Sequence, residues 1–146
     1  MKLIAHRGNI KGRFPEMENN PSYVSEALKK GFDVEIDVWK IDNKLFLGHD
    51  KPEFSISLDF LKNEKLWCHA KNISALYFLL KNNIHCFWHQ NDAVTLTSKG
   101  YMWTFPGQEL TPLSICLFPE ERKNENYDFC KGICSDNIGV YKNGKK

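Results

Sequence analysis

Two carboxylates stand one residue apart in Val34-Glu35-Ile36-Asp37-Val38. In a strand, successive side chains point to opposite faces, so Glu35 and Asp37 share one face and Val34, Ile36 and Val38 the other. At about 3.3 Å per residue the two acids lie roughly 6.5 Å apart. If the apolar side packs on helices, the acidic side faces the interior, where each unpaired ion costs several kcal/mol. A divalent cation with oxygen ligands offsets that cost. The competing arrangement is an edge strand with a solvated acidic face, and this segment alone leaves both open.

Further polar residues recur where apolar runs end. Leu3 to Ala5 runs into His6-Arg7-Gly8, which places an imidazole and a guanidinium beside a glycine that permits close approach. Arg7 suits bidentate contact with phosphate oxygens, and His6 suits proton transfer near neutral pH. Leu45-Phe46-Leu47 ends at Gly48-His49-Asp50, a second imidazole after a glycine. Two histidines flanking a phosphate serve as base and acid; either one alone reads as an ordinary hydrogen-bonded residue. Leu66-Trp67-Cys68 ends at His69-Ala70-Lys71. His69 there fits a third metal ligand and Lys71 a phosphate-binding ammonium, against a packed histidine and a surface lysine. His89 with Gln90 can line a polar pocket and bind substrate, whereas His85 at the other end of its run reads as structural. Trp103 and Phe105 read as core.

These side chains need strands that share one end. The chain supplies about seven short apolar runs separated by helical or polar stretches, a pattern of α/β class with parallel strands. Asn20 caps a helix opening with Pro21 and closing before Gly31; Asn72 caps a second, with Ile73, Leu76, Tyr77 and Leu80 at helical spacing. Ser57 starts a short third helix through Leu61. Val38 to Leu47 reads as a hairpin around Asp42-Asn43-Lys44. Asn91 to Lys99 has room for barely two helical turns, and Glu120 to Asp128 reads as a mobile loop. In parallel α/β folds, ligands bind at the carboxyl ends of the strands.

His6-Arg7-Gly8, Glu18-Asn19 before a helix, Glu35-Ile36-Asp37-Val38 and Gly48-His49-Asp50 together resemble the glycerophosphodiester phosphodiesterase family, of the phosphatidylinositol-phosphodiesterase-like barrel superfamily. The four elements follow in the family's order within the first 50 residues. His69-Ala70-Lys71 looks like its Glu-x-Lys strand and Cys134-Ser135-Asp136 like its last strand. The resemblance implies a compact, truncated TIM-like (β/α) barrel spanning 1–146 as one domain, with several helices shortened or missing. It implies Glu35, Asp37 and His69 as ligands of a divalent cation (Mg, Mn, Zn or Ca). It implies His6 and His49 as the proton-transfer pair, Arg7 and Lys71 as phosphate contacts, and Glu18 orienting the cluster. Two departures stand out. His69 replaces an acidic ligand, which favours Zn²⁺ or Mn²⁺ over Ca²⁺. The chain is also roughly 100 residues shorter than a usual eight-unit barrel, with only Lys51 through Lys65 after the His-Asp element.

The expected function is therefore a metal-dependent phosphodiesterase acting on a small phosphodiester, glycerophosphodiester-like or a sugar or polyol phosphate. The alternative is a non-catalytic domain that binds phosphate and metal. At 42% hydrophobic and 26% charged, composition excludes a disordered tail, a collagen-like fibre and a coiled coil. A formal charge of +2 argues against nucleic acid or an anionic membrane as partner. The terminal Lys142, Lys145 and Lys146 read as a solvated tail. No apolar run nears the roughly 20 residues of a membrane span, and Leu3-Ile4-Ala5 is too short for a signal-peptide core. A cytoplasmic location with five reduced, structural cysteines is expected. Outer strand faces left bare by missing helices make a homodimer plausible.

Overall fold

The computed structural model describes residues 1–142 and 144. Its elements are β1 (Lys2–His6), α1 (Pro21–Lys29), β2 (Asp33–Ile41), β3 (Lys44–Leu47), β4 (Phe54–Ile56), α2 (Leu58–Leu61), β5 (Leu66–Ala70), α3 (Ile73–Lys81), β6 (Cys86–Phe87), β7 (Val94–Leu96), β8 (Met102–Thr104), β9 (Ser114–Leu117) and β10 (Gly132–Ser135). Single 3-10 turns, Pro119–Glu121 and Ile138–Tyr141, follow β9 and β10.

All ten strands join one curled mixed sheet. Seven pair parallel in the spatial order β6-β5-β2-β1-β10-β9-β8. The end of β2 turns into the antiparallel hairpin with β3, to which β4 adds, and β7 runs antiparallel to β8. Among the described residues no ladder joins β6 to β7. Those two ends of the sheet are tied instead by Ser98, whose N–H donates to the Cys86 carbonyl at 2.8 Å while its Oγ accepts from the Cys86 N–H at 2.9 Å. The expected α/β class is present; the sheet is mixed and half-barrel in form rather than purely parallel.

Local chemistry explains the helices. The Asn20 side chain accepts from the Ser22 N–H with Pro21 at the first helical position, Asn72 accepts from Ala75 N–H, and Ser57 from Phe60 N–H. The outer sheet face buries Val34, Ile36 and Val38 in one cluster with Val24 and Ala27 of α1 and Ala75 and Leu79 of α3. The concave face carries a second cluster built around Ile4, Trp67, Phe87, Trp103 and Leu117.

Three expectations change. Within Asn91–Lys99, Val94-Thr95-Leu96 forms β7 rather than helical turns, as β-branched residues in an extended run favour. The Glu120–Asp128 stretch is anchored: the buried Arg122 guanidinium donates to the Phe105 and Gln108 carbonyls and pairs with Glu125 at 2.6 Å. The outer faces of β9 and β10 are not bare, since every residue of those strands is buried; exposed large apolar side chains include Ile73, Tyr77 and Leu80 on α3 and Leu96 on β7. Lys142 covers the Phe32 ring at 5.1 Å, and Lys145 and Lys146 lie outside the described residues. Among the described residues no helix is long and apolar enough to cross a membrane.

His85 closes the amino-terminal end of the concave face, with Nε2 2.8 Å from Thr97 Oγ1 and its ring against Trp67. Burial, helped by Lys99 and Lys2, pushes its pKa down to about 4 from 6.5. Between those values the unfolded chain binds the proton and the folded one does not. This contribution to stability is thus complete above about pH 6.5 and is lost as pH falls towards 4. Melting temperature measured from pH 7 to 4 is expected to fall less steeply for His85→Gln than for wild type; parallel slopes would remove His85 from the acid limb.

Candidate functional site

Parallel register brings the polar strand ends together. His6 pairs with Glu35 across β1 and β2, Asp37 with His69 across β2 and β5, and His69 with Phe87 across β5 and β6. Register partners on parallel strands face the same side, so one line of side chains crosses the concave face. Ala5 pairs with Ser135, which sets Asp136, just past β10, beside His6.

The acidic pair is buried, with Glu35 3% and Asp37 0% exposed. A solvated edge strand is thereby excluded. Asn19 holds Asp37 from both sides: its Oδ1 accepts the Asp37 N–H at 2.9 Å and its Nδ2 donates to Oδ2 at 2.8 Å. Arg7 Nε lies 3.3 Å from the same Oδ2. Burial opposes ionisation of Asp37, but His69, Arg7 and Asn19 overcome it and hold the carboxyl well below its usual range. Burial and the Asp37 charge instead push Glu35 up. Two buried acids this close do not ionise equally, and Asp37 is the charged member.

Glu35, Asp37 and His69 each offer a ligand atom, all within 4.8 Å of one another. His69 Nε2 lies 3.0 Å from the His89 carbonyl. A carbonyl only accepts, so Nε2 carries a proton, and Nδ1 faces Asp37 Oδ1, 3.1 Å away. That Oδ1 is buried and accepts no hydrogen bond. Two acceptors cannot face each other at this distance, so either Nδ1 carries a second proton or a positive centre lies between or beside the two atoms. The donor set therefore fits a divalent cation with mixed oxygen and nitrogen ligands; a second proton on His69 is the competing way to fill the gap.

His6 forms a dyad with Asp136, Nδ1 to Oδ1 at 2.7 Å, and Asn9 Nδ2 steadies the same oxygen at 2.8 Å. Nδ1–H thus points at Asp136 and Nε2 towards Glu35, 3.8 Å from Oε2. Burial lowers the His6 pKa, yet Asp136 and Glu35 outweigh it and the net direction is up. Arg7, in a left-handed conformation with φ 53°, donates Nη1 to Glu18 Oε2 at 3.0 Å. Glu18 also accepts from Asn9 and Arg13. It thereby anchors the Arg7 guanidinium. Gly8, expected to admit a ligand or backbone, instead receives the Tyr23 ring: a Cβ there would stand 2.8 Å from Tyr23 Cδ1. Gly48, at φ 154°, lets the chain fold back so closely that a Cβ would meet the Lys51 carbonyl. His49 follows on this turn, its ring 42% exposed and 2.8 Å from Asp50 Oδ1.

A cavity of about 370 Å³ opens over this line. Its lining combines polar His6, Arg7, Glu35, His49, His69, Lys71, His89 and Gln90 with apolar Phe87, Trp103, Phe105, Leu117 and Phe118. Lys71 Nζ stands 3.8 Å from Asp37 Oδ1. Both imidazoles of the expected pair thus border one space. Glu18 and Asp37 support the cavity from behind. Trp103 belongs to the core as expected but also bears on the cavity, and Phe105 is half-exposed to it. Asp136, Asn9 and Asn19 are functional neighbours that sequence reasoning assigned no role. For Asp136, the signal was its place at the end of a strand, as for His6.

The chain matches no family model, no curated protein and no solved structure. The likeness to glycerophosphodiester phosphodiesterases rests on the sequence motifs.

Proposed function

We propose that the protein is a metal-dependent phosphodiesterase of small phosphodiesters. The observation that carries this reading is one cavity bordered by Glu35 and His69, which form a buried trio with Asp37, and by an Asp136-held His6, His49, Arg7 and Lys71. Arg7 and Lys71 hold the phosphoryl oxygens and orient phosphorus. A water, or a hydroxyl of the substrate itself, forms the new P–O bond as the bond to the leaving oxygen breaks. Of His6 and His49, one takes the proton of the attacking group and the other returns one to the leaving oxygen. Glu35, Asp37 and His69 would hold a divalent cation, which would supply neutralisation of the phosphoryl charge.

The seven parallel strands and the site at their carboxyl ends fit a pared-down (β/α) barrel, with the shortened connections leaving the sheet half-closed. Five buried free thiols suit a cytoplasmic setting. A second reading, phosphate and metal binding without turnover, draws support from the exposure of His49, whose only described anchor is Asp50.

The test is hydrolysis of bis(p-nitrophenyl) phosphate and of an alkyl phosphodiester with Mg²⁺, Mn²⁺, Zn²⁺ or Ca²⁺, alongside calorimetry with each metal and with inorganic phosphate. Metal-dependent turnover is expected. Binding of both without turnover selects the second reading, and binding of neither overturns both.

A further inference from the structure

We infer that the substrate's second ester group ends in a flat, apolar-faced ring, such as a nucleobase or an aryl group. This deepens the phosphodiesterase reading and rests on it. About 370 Å³ is within the range of pockets for drug-sized ligands and exceeds what one phosphate and a short polyol fill. Besides its polar groups, the lining carries the rings of Phe87, His89, Trp103, Phe105 and Phe118.

The lower rings there are core: Phe87 and Trp103, each 3% exposed, lie 4.8 Å apart by centroid and plug the concave face. The upper rings are not needed for that task. His89 and Phe105 lie above them, nearly parallel at 21° with centroids 4.2 Å apart, and both are half-exposed at the cavity. Of this pair, His89 sets its Nδ1 3.7 Å from Asp92 Oδ2. Its Nδ1 accepts no hydrogen bond although buried. Phe118 lines the same space, its ring edge-on to His6 at 5.2 Å. It holds φ 46°, a left-handed conformation that strains a bulky side chain and that concentrates at ligand sites.

The wall is also built to stay in place. Arg122 donates to the Phe105 carbonyl from the buried side, and the His89 carbonyl accepts from His69 Nε2. A preorganised aromatic face loses little entropy on binding and rewards a planar partner regardless of its hydrogen-bonding pattern.

The test compares affinities of inorganic phosphate, glycerol 3-phosphate, phenyl phosphate and adenosine 5′-monophosphate by calorimetry, for wild type, Phe105→Ala and Phe105→Leu. Wild type is expected to bind the two ring-bearing esters about tenfold or more tighter than glycerol 3-phosphate, and their mutual order tells an aryl from a nucleoside site. Both variants are expected to lose that preference while binding inorganic phosphate as wild type does; Phe105→Leu keeps apolar volume and serves if Phe105→Ala misfolds. Equal affinity for all four ligands, or a ring preference untouched by both variants, overturns the inference and leaves the phosphodiesterase reading standing. Failure of wild type to bind inorganic phosphate or any of the esters brings down both.

Discussion

His6→Ala is expected to lower turnover of an alkyl phosphodiester by about 10²–10⁴, the usual contribution of a positioned acid–base group. The ring is held by a 2.7 Å bond from Nδ1 to Asp136, which presents Nε2 to the cavity in one tautomer and stabilises the imidazolium when it forms. Asp136 is a positioning residue in this scheme. Asp136→Asn keeps the size of the side chain but removes the charge behind His6, so kcat is expected to fall about tenfold or more with KM and phosphate affinity little changed. A purely structural role would instead lower the melting temperature and leave kcat intact. The leaving group decides which proton His6 handles. Should it protonate the leaving oxygen, p-nitrophenolate, which departs without a proton, will cut the His6→Ala loss to roughly tenfold or less; a base role keeps the loss equal for both substrates. A loss under threefold on both would remove His6 from the chemistry.

Features set by neighbours along the chain were legible in the sequence. Asn20, Ser57 and Asn72 cap the helices they precede because a side-chain acceptor needs only the next turn. The alternation through Val34–Val38 places Glu35 and Asp37 on one face, and their burial then follows from the helices packed on the other. What the sequence left dark depends on contacts between distant segments. His6 and Asp136 are 130 residues apart and meet because β1 pairs with β10. Asn19 serves Asp37 only because a left-handed turn, φ 64°, folds the segment before α1 over β2. Strands of two or three residues, such as Cys86–Phe87 and Val94–Leu96, carry too little periodic signal to be told from a loop or a helical turn. Phe105 looks like core by composition; that it forms a cavity wall is decided by Arg122, seventeen residues on, drawing its backbone into place.

Asp37→Asn tests the charge on which the whole site turns. Removing an outer-shell partner of a metal ligand costs 10–100-fold in affinity, so loss of the ionised ligand itself is expected to cost about a hundredfold or more. The fold is expected to persist. Asparagine has the same shape, the Asn19 Oδ1 bond to the backbone N–H of residue 37 survives, and an amide oxygen still accepts from Asn19 Nδ2. Glu35, no longer facing a second negative charge, ionises more readily and supplies Arg7, His6 and His69 with a counter-charge. Wild type at a hundred times its Kd for Mn²⁺ or Zn²⁺ should gain about 2.7 kcal/mol, a rise in Tm of roughly 5–10 °C. The variant should show no such rise at the same concentration, and calorimetry should report the lost affinity directly. Unaltered affinity would exclude Asp37 as a ligand. If wild type binds no divalent cation, His69 carries the second proton, the cluster is an ion-pair network, and the variant should show its cost as a lower Tm without any added metal.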